Sequence, residues 1–158
     1  MTAMRSVNVF DDDYRYDPED PPGYRAGVIH LTQALGAAGL AVKSFVIAPG
    51  ETVCPYHYEY EEEWLLVLEG AIVLRTPEGE QELSAGDAVA FPPGPDGAHK
   101  TSNRGEQPAR LLMFSSAREP AIAVYPDSDK IGAWSGNKDD DVLLFRRDGD
   151  VDYYDGEI

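Results

Sequence analysis

Residues 64–91 read WLLVLEGAIVLRTPEGEQELSAGDAVAF, and this stretch decides the fold class. It is built from short runs of Val, Leu, Ile and Phe, which are typical of β-strands. Each run ends at turn-forming residues: EG at 69–70, PEG at 77–79 and AGD at 85–87. Strands that recur at this spacing, with almost no helical periodicity, indicate an antiparallel sandwich or barrel.

The same texture extends through most of the chain, and only residues 33–38 hint at a helical turn. After the last of these strands comes a loop, YPDSDK, then a polar stretch at 135–141 and a strand-like run, VLLFRR. That run could pair with an open sheet edge of its own subunit or of a neighbour. The strands predicted from the pattern are 28–32, 40–47, 56–60, 64–68, 71–75, 80–83, 88–91, 100–103, 110–115 and 121–125.

The length of 158 residues fits a single domain with a sizeable core. Residues 1–26 contain an Asp run and a turn-rich stretch, DPEDPPG, so they predict an extended N-terminal arm. Residues 27–117 hold the predicted barrel. Residues 118–158 are predicted to form a C-terminal extension that packs on the barrel or on a partner subunit.

The charge excludes several classes of partner. The chain has 29 acidic and 13 basic residues, for a net charge of -16, so nucleic acid and anionic membranes would be repelled. An anionic substrate would need a metal, together with a lone Arg or Lys near the mouth of the pocket, to overcome this field. The N-terminus has no signal-peptide pattern, and the single Cys54 cannot form an intrachain disulfide. We therefore expect a cytoplasmic protein.

The three histidines are informative because they are scarce. His57 and Glu59 are two residues apart and so point to one face of a strand, and Glu63 follows across a short turn. His99 comes after the Gly-rich loop PPGPDGA and could supply a fourth donor. Donors of this kind that meet when a barrel closes can build a metal site with open positions. His30 is expected to be an ordinary sheet residue.

Two stretches resemble the paired motifs of the cupin superfamily. The first reads Gly50, ETVCPY, then residues 57–59 (HYE), YEE, Glu63, WLLVLE and Gly70. The second reads Gly86, DAVAF, residues 92–94 (PPG), PDGA, His99, KTS and Asn103. The resemblance covers roughly residues 27–117. It implies a double-stranded β-helix, or jelly-roll barrel, that forms a homodimer and holds a divalent metal with three His and one Glu.

The chain departs from that pattern at Glu59, which stands where the second His is expected. The resemblance therefore implies a metal site of His57, Glu59, Glu63 and His99, with two nitrogens and two carboxylates. Such a set favours Mn, Fe(II) or Zn, with Ni possible and Cu(I) disfavoured. Glu59 has two other readings: it faces the cavity without ligating, or it is the catalytic acid or base. Glu61 and Glu62 are alternatives to Glu63, which alone keeps the six-residue spacing to Gly70.

Function follows from the resemblance only in outline. We expect a metal ion that acts as a Lewis acid on a small oxygenated metabolite such as a sugar derivative, a hydroxy acid or a keto acid. An isomerase, a lyase or a dioxygenase would all use this arrangement, and a non-catalytic module that binds a metabolite or metal is the alternative. Cys54 is expected to be a buried inert thiol, or else to line the mouth of the pocket.

Overall fold

The computed structural model of the protein describes residues 4–135 and 142–157. The described residues form strands joined by short turns, with one helical turn, α1, at Leu31–Leu35. The predicted all-β class is therefore confirmed. The strands are β1 Gly27–His30, β2 Leu40–Ile47, β3 Tyr58–Glu59, β4 Glu63–Glu69, β5 Ala71–Thr76, β6 Gly79–Ser84, β7 Ala88–Phe91, β8 Lys100–Ser102, β9 Ala109–Ser116, β10 Ala121–Tyr125, β11 Lys130–Trp134 and β12 Val142–Arg146.

The strands form antiparallel sheets that close into a jelly-roll barrel. One sheet has the order β1-β2-β9-β4-β7, and two smaller sheets have the orders β6-β5-β8 and β12-β11-β10-β3. Isolated bridges join the smaller sheets, because Thr52 pairs with Ser102 and His57 pairs with His99. The segment between β2 and β3 therefore connects them into one wall that faces the five-stranded sheet.

Alternation along the strands explains why a barrel forms. In β4, Leu65 and Val67 are buried, whereas Trp64 points outward and is 40% exposed. The same period of two recurs in β5 and β9, so one face of each strand enters a common core. The members of that core are Ile47, Leu65, Val67, Ile72, Leu74, Leu83, Phe91, Ala109 and Leu111.

The N-terminal arm packs on the outer face of the five-stranded sheet. Tyr14 is buried there with Ile29 and Leu31. Its hydroxyl donates to the Val9 carbonyl at 2.8 Å and lies 2.7 Å from Ser44 Oγ. The arm thus covers apolar side chains on the outer face of β2, which means that both faces of this strand are partly apolar.

The C-terminal extension adds strands to the barrel's own wall. β10 pairs with β3, β11 pairs with β10, and β12 pairs with β11, so the VLLFRR run joins its own subunit. The prediction missed β11, because a loop was expected up to residue 130 and no element was assigned to residues 131–134. Residues 136–141 of the predicted polar stretch lie outside the described residues. The division at residues 26 and 117 stays a prediction.

Several boundaries differ from the sequence pattern. The helical turn lies at Leu31–Leu35, two residues earlier than predicted, and β3 has two residues where five were expected. Val142, Leu143, Leu144 and Phe145 of β12 are all exposed.

Across the described ranges, no helix has the length and apolar character needed to cross a membrane.

Candidate metal centre

Two predicted ligands, His57 and His99, face each other across neighbouring segments of the barrel wall. The His57 amide donates to the His99 carbonyl at 3.1 Å, and the His99 amide donates to the His57 carbonyl at 2.8 Å. This narrow antiparallel pair places the two imidazole rings 4.7 Å apart, tilted by 52°. Residues 42 apart in sequence are therefore held together by backbone hydrogen bonds.

Both rings have one nitrogen fixed by a backbone carbonyl. His57 Nδ1 lies 3.0 Å from the Pro55 carbonyl, and His99 Nδ1 lies 2.9 Å from the Gly97 carbonyl. A carbonyl oxygen only accepts, so each Nδ1 carries the proton and each Nε2 has a free lone pair in the neutral ring. Metal-ligating histidines commonly have this arrangement, which fixes both the tautomer and the ring orientation.

Glu63, the first residue of β4, completes the group. Its Oε2 lies 3.9 Å from His57 Nε2 and 3.8 Å from His99 Nε2, and its side chain is only 13% exposed. These separations are too long for hydrogen bonds, but they suit two donors that each lie about 2.0–2.2 Å from a common ion. One ligand atom from each of the three residues lies within 4.8 Å of the others.

The positions of these three side chains suit a shared cation better than direct hydrogen bonds to one another. His99 is 0% exposed, and its Nε2 has no hydrogen-bond partner among the described residues. A buried polar atom left without a partner costs free energy, so an unpaired lone pair that points at a carboxylate calls for a third group between them. Two neutral imidazoles and a carboxylate are a common donor set for Zn, Fe(II) or Mn.

The neighbouring glutamates take other positions. The Glu61 carboxylate accepts a hydrogen bond from Ser116 Oγ, and the Glu62 carboxylate accepts one from Trp64 Nε1 at 2.7 Å. Of the three consecutive glutamates, the structure therefore directs Glu63 to the histidines. Glu59 lies in β3 opposite Ala123 and is half-buried, but it is outside the three-residue group. Its role as a ligand or as an acid or base stays a prediction.

Aromatic rings and a thiol surround the histidines. The Phe91 ring stacks on His99 with centroids 3.7 Å apart, and Tyr125 stacks on His57 at 5.9 Å. Cys54 Sγ lies 3.5 Å from His57 Nδ1, and burial raises the pKa of this thiol to about 12. Cys54 also lines a cavity of about 570 Å³ between the arm, the barrel and the tail. The raised pKa keeps the thiol protonated at neutral pH, as expected for an inert thiol. Cys54 also lines the cavity, so both features expected from the sequence occur together.

A close backbone approach positions His99. A Cβ on Gly97 would lie 1.9 Å from the Pro92 carbonyl oxygen, so only glycine fits there. The Gly97 carbonyl is the acceptor that orients His99. Asn103, the last motif residue, is 1% exposed and donates from Nδ2 to the carbonyls of Ile47 and Gln107, each at 2.8 Å. It anchors the loop after β8 and does not face the metal centre.

Burial favours the neutral form of each ionisable group at the site. It raises the pKa of Glu63 to about 8, and the charge of Glu59 acts in the same direction. Burial also raises the pKa of Glu59 and lowers the pKa of His57. It lowers the pKa of His99 to about 4, helped by the neighbouring His57. A bound dication would favour the ionised carboxylates, and the neutral imidazoles are already in the form that binds metal.

Two residues near the site carried no motif signal. Tyr125 reaches His57 only because β10 pairs with β3. Lys43 of β2 affects the site electrostatically, since its charge lowers the pKa of both Glu59 and Glu63. Lys43 shares the two-residue spacing of Phe45 and Ile47, and this spacing is the one sequence feature that hints at a position on the inner face of the barrel. His30 lies in β1, half-buried, and is not in the three-residue group.

Comparison with known proteins agrees with this architecture. A sugar phosphate isomerase of the cupin superfamily from Silicibacter pomeroyi is 26% identical, with a TM-score of 0.78 over 95% of this chain and 98% of that one. The polyketide synthase protein TcmJ of Streptomyces glaucescens is 27% identical over 103 residues, which are 63% of this chain and 68% of TcmJ. The polyketide cyclase RemF of Streptomyces resistomycificus shares the fold at 22% identity, with a TM-score of 0.61 over 75% of this chain and 84% of RemF.

The family model described as a cupin domain matches residues 43–115. These residues contain His57, Glu63 and His99, together with most of the strands that form the barrel. Motif spacing, topology and structural neighbours therefore agree, and the chain belongs to the cupin superfamily.

Proposed function

We propose that the barrel holds one divalent metal ion through His57, Glu63 and His99 and acts on a small oxygenated metabolite. The observation that carries this proposal is the buried Nε2 of His99, which has no partner among the described residues and points toward a carboxylate 3.8 Å away. Zn, Fe(II) and Mn suit the donors, and Ni is possible. Glu59 is proposed as a fourth ligand or as the group that moves a proton.

The chemistry we favour is proton transfer next to a carbonyl group. When bound, the divalent ion would supply a Lewis acid that polarises a carbonyl or carboxylate oxygen. Glu59, which is half-buried and two residues after His57, would take a proton from the carbon next to the carbonyl and return it to the neighbouring carbon. Phe91 and Tyr125 would hold the two imidazoles in place from either side.

One comparison supports this class of reaction. The Silicibacter pomeroyi neighbour, aligned over nearly its whole length, is a sugar phosphate isomerase. Proton transfer through an enediol is one route by which a hydroxy carbonyl compound isomerises. We therefore propose a metal-dependent isomerase of small hydroxy carbonyl compounds. A non-catalytic binding module is the second candidate, because the same donors could hold a ligand without turning it over. The homodimer and the cytoplasmic location expected from the sequence stay predictions.

Solvent exchange tests the proposed reaction. The Zn-loaded protein is incubated in D₂O with dihydroxyacetone or its phosphate, and proton NMR follows the loss of the carbon-bound proton signals. We expect exchange above the rate of the metal-free protein, a large decrease in Glu59→Gln, and no change in the control Glu78→Gln, which alters an exposed turn. Binding without exchange in the Zn-loaded protein would favour the binding module instead.

A further inference from the structure

Lys43 occupies an unusual position for a lysine. It lies in β2 two residues before Phe45, whose ring packs against the barrel core, and four before Ile47, which is fully buried. Residues two apart share one face of a strand, so Lys43 is on the inner face of the barrel. Its side chain is exposed, which means that this end of the inner face opens to solvent.

The sheet register places Lys43 near the metal centre. Lys43 pairs with Met113 of β9, and Met113 pairs with Leu65 of β4. Glu63 is two residues before Leu65, so it lies on the same face of the sheet. It is therefore two strands away from Lys43 and displaced by two residues along the strand direction. A lysine side chain is long enough to cover much of that separation. The charge of Lys43 accordingly lowers the pKa of Glu59, Glu63 and His57.

Among the described residues, the ammonium of Lys43 also forms no close ion pair. Within the described residues, no carboxylate oxygen lies within 4.0 Å of it. Other cations near this end of the barrel have partners: Arg75 forms a bidentate pair with Asp127, and Lys130 lies over the Tyr125 ring at 5.4 Å. Lys100 lies 3.4 Å from the Tyr24 hydroxyl. A cation that has no close ion pair within residues 4–135 and 142–157, on the inner face of a protein of net charge -16, is suited to binding an anion.

We propose that Lys43 determines ligand specificity by binding an anionic group, a carboxylate or a phosphate, on the molecule that binds at the metal centre. The inference rests on the proposed metal site, but it adds the charge of the ligand and the residue that recognises it. The anion would be held at the solvent-exposed side of the inner face while the oxygen donors of the same molecule approach His57, Glu63 and His99.

A matched ligand series tests this assignment. Kojic acid and comenic acid present the same hydroxypyranone chelating group, but kojic acid carries a hydroxymethyl group where comenic acid carries a carboxylate. The phosphate monoester of kojic acid extends the series to phosphate. Dissociation constants are measured from the visible absorption bands of the Co(II)-loaded protein, and each variant is described by its ratio of affinities for the anionic and the neutral ligand.

We expect this ratio to decrease about tenfold or more in Lys43→Met, since the variant loses a hydrogen bond between two charged groups. Lys43→Arg should keep most of the wild-type ratio. The control Lys130→Met, which removes the same charge beside Tyr125, should leave the ratio unchanged. Whichever anionic ligand shows the larger decrease identifies the preferred group, and added salt should reduce the wild-type ratio.

The outcomes distinguish a wrong role for Lys43 from a wrong metal site. Co(II) absorption bands that appear in Lys43→Met show that the metal site and the fold are intact. If those bands are present and the affinity ratio equals that of the wild type, the role of Lys43 is wrong while the metal site stands. If the wild-type protein shows no Co(II) bands at all, the metal site itself is wrong, and the assignment to Lys43 is overturned with it.

Discussion

The two ends of the barrel interior are built from the same strands but differ in chemistry. At one end, Ile47, Leu65, Leu74 and Leu111 are fully buried and pack against one another. At the other end, the inner face carries two histidines, a glutamate and a lysine. β4 contributes to both, because Glu63 and Leu65 are neighbours on one face. β2 does the same with Lys43 and Ile47.

This difference indicates how the fold separates stability from chemistry. The packed end removes apolar surface from water, which contributes about 25 cal/mol for each Å². The polar end leaves a buried imidazole nitrogen unpaired and keeps a carboxyl protonated, and both are unfavourable without a ligand. Apolar burial at the packed end must therefore offset the unfavourable burial of unpaired polar groups at the other end. Changes at each end should affect different measurements.

The largest effect should come from His99→Ala at the polar end. We expect the affinity for Zn to decrease by about three orders of magnitude, because structural zinc sites obtain about 10–16 kcal/mol from roughly four ligands. Isothermal titration calorimetry with competing chelator measures this. The control His30→Ala removes a histidine outside the three-residue group and should keep the wild-type affinity. Equal losses in both variants would contradict the assignment.

Leu111→Ala tests the packed end. Leu111 is fully buried, and we expect the free energy of unfolding to decrease by about 3 kcal/mol through lost burial and a residual cavity. Denaturant titration measures it, with Leu40→Ala, at a 54% exposed position, as the control. Zn affinity of the folded variant should not change. A large loss of Zn affinity would show that the two ends are coupled.

Gly97→Ala should have a smaller effect, directed at the orientation of His99. The added Cβ conflicts with the Pro92 carbonyl and displaces the Gly97 carbonyl that accepts from His99 Nδ1. We expect Zn affinity to decrease about tenfold, as is usual for groups that orient a metal ligand. Gly39→Ala is the control, because its Cβ would meet nothing within 4 Å. Unchanged affinity in Gly97→Ala would mean that this carbonyl does not orient the ring.

The smallest effect is a pH dependence of the metal-free protein. The pKa of Glu63 rises from 4.5 to about 8 on folding, and the pKa of His99 falls from 6.5 to about 4. Between pH 4.5 and 6.5 the two slopes oppose each other. Between 6.5 and 8 the slope comes from Glu63, which is ionised in the unfolded chain and protonated in the folded one, and the raised pKa of Glu59 acts in the same direction. Stability should therefore fall as the pH rises through this window.

Thermal melts of the metal-free protein check this slope, and Glu63→Gln should flatten it between pH 6.5 and 8. Saturating Zn should flatten it as well, because the cation stabilises the ionised carboxylate. A melting temperature that rises across the same window in the wild type would contradict the buried, protonated state of Glu63.

Much of the fold could be predicted from local signals. Turn residues divide the apolar runs at each strand boundary from β4 to β7, so the strands there are close to their predicted positions. β11 was missed because its sequence, KIGAW, is weak in strand formers, and Gly132 is needed where the Trp134 ring folds across it. Its pairing with β10 is a tertiary effect that no local pattern shows.

The site was predictable only in part, for a similar reason. Motif spacing predicted His57, Glu63 and His99, and the structure brings these three together. Lys43 could not be placed because both faces of β2 are partly apolar: one face enters the barrel and the other is covered by the arm. Tyr125 depends on the pairing of β10 with β3.

The most direct test of the account is to locate a metal by anomalous scattering in crystals grown with Zn, with data collected on both sides of the absorption edge. We predict one strong peak per chain, at about 2.0–2.2 Å from His57 Nε2, His99 Nε2 and a Glu63 carboxylate oxygen. The same map would show whether Glu59 is a fourth ligand. No peak at this position, or a peak only at the protein surface, would contradict the metal centre.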